Sequence, residues 1–199
     1  MTRGPIFTMG HSNHELGKFM DLLHVWSVEL VADVRSIPRS RANPQFEADA
    51  LARALAAEGV RYEHIQELGG RRGRAALGPS PNDGWEVPAF RNYADYALTP
   101  LFEQGLSRLL DLGARHVSAV MCAEALYWRC HRRIVVDYLL CRGREVRHIL
   151  GNGRLVPAEL TPFARVRQDG KVVYPPARAR DATLPSGRRA RRSVAANPK

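Results

Sequence analysis

The segment that decides the fold runs from Val117 to Arg133 and reads VSAVMCAEALYWRCHRR. Its first five residues are small or apolar, which is typical of a strand covered on both faces of a sheet. Two cysteines, a glutamate, a histidine and three arginines follow, and a helix is predicted from about residue 130 to 142. Because open α/β sheets bind ligands where such strands end, we expect the functional site here.

Predicted strands and helices alternate on both sides of this segment. Apolar runs predict five strands, at residues 5–10, 29–34, 60–65, 116–121 and 145–150. Apolar residues at helical spacing predict helices between them, at 12–26, 47–58, 90–98, 99–112 and 130–142. The order indicates a three-layer α/β fold, in which a mostly parallel, five-stranded Rossmann-like sheet carries helices on both faces.

Two finer features of the fold follow from the same pattern. If the strands lie in the order 3-2-1-4-5, the loops that leave the first and fourth strands face one crevice. Ser12 and Glu15 have the spacing of a capping box, which predicts that the first helix begins directly after Ser12. Residues 172–174 are apolar enough to form a short edge strand.

Length and charge indicate one domain with a basic extension. The chain has 199 residues and a net charge of +10. We assign residues 1–174 to a single α/β domain and residues 175–199 to a disordered tail, which carries seven basic residues and one acidic residue without apolar periodicity. The tail is either solvated surface or a source of salt-sensitive affinity for nucleic acid.

The sequence also limits the location of the protein. It has no apolar run of membrane-spanning length and no secretory leader pattern, and its three cysteines do not suggest a disulfide framework. We therefore expect a reduced, cytoplasmic protein without a membrane partner. The oligomeric state stays open at this stage.

The cysteines of the central segment are the first candidates for chemistry. Cys122 lies between a strand and a helix, where the helix dipole and nearby arginines would favour its thiolate. With Glu124 and His131 as acid–base groups, it forms the candidate catalytic set. Alternatively, Cys122 and Cys130 form a redox couple, bind a metal ion together with His131 and His11, or are inert core residues. Because their spacing matches no common zinc motif, we assign no metal and no cofactor.

Arginines near these cysteines indicate an anionic ligand. Several loops at the predicted sheet edge carry arginine, whose fork-shaped side chain suits phosphate. Asp33 would either hold Arg35 in place or bind a ribose hydroxyl. We therefore predict a phosphate-bearing small molecule or a nucleic acid as the partner. The predicted ligand-binding residues are His11, Ser12, Asp33, Arg35, Arg71, Arg129, Cys130 and Arg132.

Five sequence blocks resemble the family called domain of unknown function 488. The blocks are Gly10-His11-Ser12-Asn13, Asp33 to Pro38, Asn43 to Phe46, Glu67 to Arg71, and Met121 to Glu124 together with Trp128 to Arg132. They appear in order across about residues 6–150. The resemblance implies a small bacterial or archaeal α/β protein, and it implies no particular reaction.

Taken together, the residues favour an enzyme or enzyme-like protein that binds a phosphate-bearing ligand at the carboxyl edge of the sheet, with Cys122 as nucleophile. The second hypothesis is a non-catalytic nucleic-acid-binding or adaptor module, in which the arginines bind and the cysteines are structural. The third is a thiol redox or metal-sensing protein.

Overall fold

The structure is a computed structural model that describes residues 4–73 and 78–177. The described helices are α1 (Leu16–Val25), α2 (Ala48–Ala57), α3 (Pro88–Tyr96), α4 (Pro100–Arg115) and α5 (Arg132–Cys141). The described strands are β1 (Ile6–Gly10), β2 (Leu30–Asp33), β3 (Arg61–His64), β4 (Ser118–Cys122), β5 (Val146–Ile149), β6 (Leu155–Pro157), β7 (Arg165–Val166) and β8 (Val172–Val173). Three short 3-10 turns cover Pro44–Phe46, Gln66–Leu68 and Tyr127–Arg129.

Six strands form the main sheet, in the order β3-β2-β4-β1-β5-β6. The first five are parallel, and β6 pairs antiparallel with β5 at the edge. The predicted α/β fold with a mostly parallel sheet is confirmed, although the prediction missed β6. The predicted strand order is wrong, because β4 lies between β2 and β1. The predicted edge strand at residues 172–174 instead pairs with β7 in a separate two-stranded sheet.

The central position of β4 agrees with its burial. All five of its residues are buried, and alternate side chains enter two different cores. Ala119 and Met121 pack with side chains of α1 and α2, whereas Val120 and Cys122 pack with side chains of α3, α4 and α5. The order of elements along the chain does not fix their order across the sheet, so the sequence pattern could not place β4 between β2 and β1.

The loop after β1 departs from the predicted capping box. Ser12 has a left-handed φ of 48°, and α1 begins only at Leu16, with Glu15 as a cap that makes no side-chain cap bond. The backbone N–H groups of His11 and Ser12 instead donate to the carbonyls of Cys122 and Ala123, at 2.9 and 3.0 Å. The loops that follow β1 and β4 therefore run side by side for two residues beyond the strands before they separate.

Two further features concern the ends of elements. Thr99 caps α4 as predicted, since its side chain accepts a hydrogen bond from the backbone of Phe102, but the helix continues past Gly113 to Arg115. Of the predicted basic tail, residues 178–199 lie outside the described residues. Within the described part of the chain, no helix combines the length and apolar character needed to cross a membrane.

Candidate functional site

A cleft of about 670 Å³ opens where β2 and β4 end, and we call it the thiol cleft. Seven of the residues singled out from the sequence line it: Arg35, Arg71, Cys122, Glu124, Arg129, Cys130 and His131. Four others do not: His11, Ser12, Asp33 and Arg132. Most of the site residues predicted from the sequence therefore line one cleft, and the remaining four lie beside it or beneath its surface.

The two cysteines of the thiol cleft form a close pair. Cys122 ends β4, Cys130 precedes α5, and their Sγ atoms lie 2.7 Å apart as free thiols. Each side chain is only 3% exposed. Because both residues contribute to the cleft lining, the pair forms the floor on which a ligand would rest.

A buried guanidinium lies directly behind this pair. Arg132 is 1% exposed, and its Nε donates to Cys130 Sγ at 3.3 Å while its Nη2 donates to the carbonyl of Glu124 at 2.6 Å. Its Nη1 has no hydrogen-bond partner, and no carboxylate lies within ion-pair distance among the described residues. A buried cation requires a nearby anion. The Cys130 thiolate is the group placed to supply it.

His131 is oriented toward Cys130. Its Nε2 lies 3.0 Å from the Val34 carbonyl, which can only accept, so Nε2 carries the proton in the neutral ring. The lone pair of Nδ1 then faces Cys130 Sγ at 3.6 Å. His131 is therefore placed to accept a proton from Cys130, whereas the sequence suggested that it would assist Cys122.

These contacts shift the pKa values of the two thiols in opposite directions. Burial and then the hydrogen bond to Cys130 raise the pKa of Cys122 well above that of a free thiol. Burial opposes ionisation of Cys130 too, but the bond from Cys122, the charge of Arg132 and the contact with His131 together lower its pKa. These pKa directions favour Cys130 as the thiolate, whereas the sequence predicted a thiolate at Cys122.

Asp33 and Arg35 belong to a buried polar network beneath the cleft. The guanidinium of Arg35 donates to both carboxylate oxygens of Asp33, through Nε at 2.9 and 3.0 Å. Tyr62 donates its hydroxyl to Asp33 at 2.7 Å, and Arg35 Nη1 donates to the Phe46 carbonyl at 2.8 Å. With its oxygens engaged and its side chain buried, Asp33 suits a supporting role better than direct contact with a ribose.

His11 extends this network to the loop after β1. Its Nδ1 donates to the Ser12 carbonyl at 2.9 Å, so its Nε2 accepts from Arg35 at 3.3 Å, and its ring stacks on Phe46 with centroids 4.3 Å apart. Burial, with a contribution from Arg35, lowers the pKa of His11 to about 4, although the bond to Ser12 opposes the shift. A neutral His11 therefore links the first loop to the second strand.

The remaining charged residues of the thiol cleft are mostly basic. Glu124 accepts from the backbone of Leu126 at 3.1 Å and makes no ion pair among the described residues. Arg71 and Arg129 are exposed, and neither side chain is ion-paired within the described ranges. Arginine is therefore in excess over carboxylate on the surface of the cleft.

The sequence reasoning missed two aspects of the cleft. Arg39 and Arg41 line it beside Arg35, although the chain pattern showed them only as a crowded basic loop. Close packing requires glycine at two positions beside the cleft: a Cβ at Gly69 would lie 2.7 Å from Ser36, and one at Gly70 would lie 2.3 Å from Nδ1 of His131. The need for glycine at residue 70 comes from its contact with the His131 ring. Because the two residues are distant in sequence, no local pattern reveals it.

A metal ion has three possible ligands in this cleft. Cys122 Sγ, Cys130 Sγ and a ring nitrogen of His131 lie within 4.8 Å of one another. His11, which the sequence suggested as a fourth ligand, is bonded to Ser12 and Arg35 instead. The buried Arg132 already supplies positive charge to the sulfurs, which favours an uncomplexed thiolate over a divalent cation.

Comparison with known proteins bears on the resemblance seen in the sequence. No curated protein and no solved structure matches the chain. The family model described as "Domain of unknown function DUF488" matches residues 15–139, a stretch that includes β2, β4, the cysteine pair, α1 to α4 and most of α5. Because this match covers more than half of the chain, the protein belongs to the DUF488 family.

Proposed function

We propose that this protein is a thiol-dependent enzyme that acts on a phosphate-bearing ligand held in the thiol cleft. The observation that carries the proposal is the buried pair of Arg132 and Cys130, in which a guanidinium with no carboxylate partner among the described residues lies 3.3 Å from a sulfur. Thiolates are the nucleophilic form of cysteine, and such electropositive surroundings are where reactive cysteines occur. The reducing cytoplasm that we expect from the composition would keep the pair in its active form.

Each residue around the pair has a distinct role in this proposal. His131 accepts the proton of Cys130, and Arg132 compensates the resulting negative charge. Cys122 donates a hydrogen bond that stabilises the thiolate until the ligand binds. The Cys130 thiolate then bonds to an electrophilic carbon or phosphorus atom of the ligand, while the leaving group departs with the electron pair of the broken bond and takes the proton held by His131. Water hydrolyses the resulting thioester or thiophosphate and returns the thiol, so Cys130, rather than Cys122, is the proposed nucleophile.

Phosphate is the ligand group that the cleft surface favours. Arg71 and Arg129 are exposed and carry no ion pair among the described residues, and Arg39 and Arg41 add two further guanidinium groups. Each charge-assisted contact to a phosphate oxygen contributes about 1.5–3 kcal/mol to binding. Glu124, the carboxylate that lines the same cleft, would act as an acid or a base toward the ligand.

The distance between the sulfurs supports thiol–disulfide exchange as a second candidate function. In that reaction the Cys130 thiolate attacks an external disulfide and expels one thiolate. Deprotonated Cys122 then attacks Cys130 and expels the other, which leaves an internal disulfide and two reduced product thiols. Exchange requires both cysteines, whereas nucleophilic catalysis by Cys130 does not require Cys122 to form a bond.

Protection from alkylation tests the proposal. The full-length protein is treated with iodoacetamide with and without AMP, ATP or inorganic phosphate, and labelling of each cysteine is followed by peptide mapping. We expect phosphate compounds to slow labelling of Cys130, and we expect Arg71→Ala or Arg129→Ala to weaken that protection about tenfold or more. The exposed Arg154 lies outside the cleft lining and provides the control variant Arg154→Ala.

Two outcomes would reject the proposal in different ways. If no phosphate compound protects Cys130, the anion site fails. If compounds protect but Cys130→Ser and Cys122→Ser both leave every conversion of those compounds unchanged, the protein is a binding or adaptor module. If a compound is still converted by the Cys122→Ser variant but not by the Cys130→Ser variant, the proposed enzyme is supported and thiol–disulfide exchange is excluded.

A further inference from the structure

A second cleft adjoins the thiol cleft and shares three residues with it. This aromatic cleft has a volume of about 700 Å³, and Val87, Phe90 and Arg129 line both clefts. Each volume lies within the range of a complete small-molecule site. A ligand that fills both clefts must therefore be larger than a mononucleotide and must pass over Arg129.

The aromatic cleft exposes ring surface to solvent. Trp128 is 47% exposed, Val87 is 51% exposed, and both line the cleft with the half-buried Phe90. Trp85 stacks against Phe90 with ring centroids 4.9 Å apart, which fixes one wall. Exposed aromatic surface beside arginine is the chemistry with which proteins stack unpaired nucleobases.

The positive charge of the two clefts favours a nucleic acid over an uncharged aromatic ligand. Arg133 lies in the aromatic cleft, where its Nε donates to Thr161 at 3.0 Å and its guanidinium lies 5.1 Å from the centre of the Trp85 ring. Six arginines and two glutamates line the two clefts, and Arg35 is the one of these arginines whose charge is compensated by Asp33 beneath the surface. A cationic groove of this kind follows a phosphate backbone.

The end of the described chain lies beside the same cleft. The Tyr174 carbonyl accepts from the backbone of Gly84 at 2.8 Å, and the Tyr174 ring lies 5.1 Å from Trp85. The chain then continues for residues 178–199, which carry seven basic residues and one acidic residue. The last described residues therefore lie beside the aromatic cleft, and the sequence that follows them has a net charge of +6.

The burial of the thiols excludes a paired base. Cys122 and Cys130 are each 3% exposed at the cleft floor, so a base reaches them only when it has left its helix. From these observations we infer that the ligand of the proposed enzyme is single-stranded nucleic acid. One nucleotide occupies the thiol cleft, and the neighbouring base stacks in the aromatic cleft on Trp128. This inference rests on the proposed function, because it names the ligand of the same site.

Fluorescence anisotropy with labelled oligonucleotides tests the inference on the full-length protein. The probes are a single-stranded hexanucleotide of mixed sequence, the corresponding duplex, and AMP as competitor. We expect the single strand to bind at least tenfold more tightly than the duplex, and AMP to compete at least tenfold more weakly than the unlabelled hexanucleotide. Removing one base–aromatic stack by Trp128→Ala should weaken hexanucleotide binding roughly fivefold to hundredfold.

Matched variants distinguish the loss of base stacking from a general loss of folded structure. Trp128→Phe keeps a ring and should retain most of the affinity, while Leu101→Ala truncates a similarly exposed apolar residue of α4 and should change nothing. Changing the four arginines at 188, 189, 191 and 192 to glutamine should reduce the dependence of binding on salt. The thermal midpoint of each variant shows whether it is folded.

Three results would overturn the inference: equal binding of duplex and single strand, equal competition by AMP and hexanucleotide, or a Trp128→Ala variant that behaves as Leu101→Ala does. The proposed function fails separately. If the hexanucleotide binds as expected but Cys130→Ser and Cys122→Ser have no effect on any conversion, only the enzyme is rejected. If AMP protects Cys130 but the hexanucleotide binds no better, only the single-stranded ligand is rejected.

Discussion

Gly70 lies against the imidazole ring of His131, so closely that a Cβ at residue 70 would be 2.3 Å from Nδ1. Tyr93 also contacts the ring, edge to face with centroids 5.0 Å apart, so both residues restrict its movement. The contact therefore fixes the nitrogen that faces Cys130.

Gly70→Ala should consequently disturb both the fold and the thiol. We expect a loss of about 1–3 kcal/mol in the free energy of unfolding, which is the usual effect of overpacking, together with slower alkylation of Cys130. Gly17→Ala is the control, since a Cβ there meets nothing within 4 Å and alanine favours the helix α1. Urea unfolding and peptide mapping measure the two effects. A Gly70→Ala protein as stable as wild type would show that the ring is not confined.

The contact at Gly70 also shows what the sequence could and could not predict. Local patterns were sufficient for the elements, because apolar runs and helical spacing are properties of neighbouring residues. The collection of Cys122, Cys130 and several arginines at one edge was also predictable, since parallel strands end on the same side. The pairing of His131 with Cys130 depends on Val34 and Gly70, which are distant in sequence, so no local pattern could reveal it.

Asp33→Asn tests the network beneath the cleft. Asparagine keeps the shape but removes the charge that compensates the buried Arg35, so we expect a loss of about 3–5 kcal/mol in the free energy of unfolding. Tyr62→Phe removes only one hydrogen bond to Asp33 and should reduce stability by about 1 kcal/mol. Urea denaturation at neutral pH measures both. Similar losses for the two variants would mean that Arg35 is not dependent on the carboxylate.

His148 should contribute to acid sensitivity. Burial, and then the charge of Arg132, lowers its pKa from 6.5 to about 4 in the folded protein. Between these pH values the unfolded chain binds a proton that the folded protein does not, so stability falls as the pH falls from 6.5 to about 4. The slope from this residue approaches about 1.4 kcal/mol per pH unit within that window, and it levels off below it.

Two variants test whether His148 causes this dependence of stability on pH. His148→Phe keeps the stacking on Tyr127, where the rings lie 3.7 Å apart, but removes the titrating group, so its stability should depend less steeply on pH. Thr8→Val removes the 2.8 Å hydrogen bond between Thr8 and His148 but leaves the imidazole, so the slope should remain. Chemical denaturation at several pH values provides the comparison. Parallel curves for wild type and His148→Phe would contradict the expected shift.

The ionisation of Cys130 is the property on which the proposed chemistry depends. Its pKa is lowered in the folded protein, so at pH values between the folded value and that of a free thiol, about 8.5, Cys130 is a thiolate only when the protein is folded. The stabilisation from this ion pair is present above the free-thiol value and is lost as the pH falls through the folded value. Burial raises the pKa of Cys122 and of Cys141, so neither should compete for an alkylating reagent near neutral pH.

Arg132→Met should reduce the difference in reactivity between Cys130 and the other two cysteines. Removing an opposite charge beside a thiolate raises its pKa by about 1–3 units, so the pH midpoint of Cys130 labelling by iodoacetamide should rise by that amount. Arg142→Met is the matched control, because it removes the same charge from a side chain that is paired with Glu103 instead. Labelling of each cysteine is followed by mass spectrometry across the pH range. If Cys130 and Cys141 label with the same midpoint in the wild-type protein, Arg132 does not stabilise a thiolate, and the guanidinium behind the cysteine pair has a structural role alone.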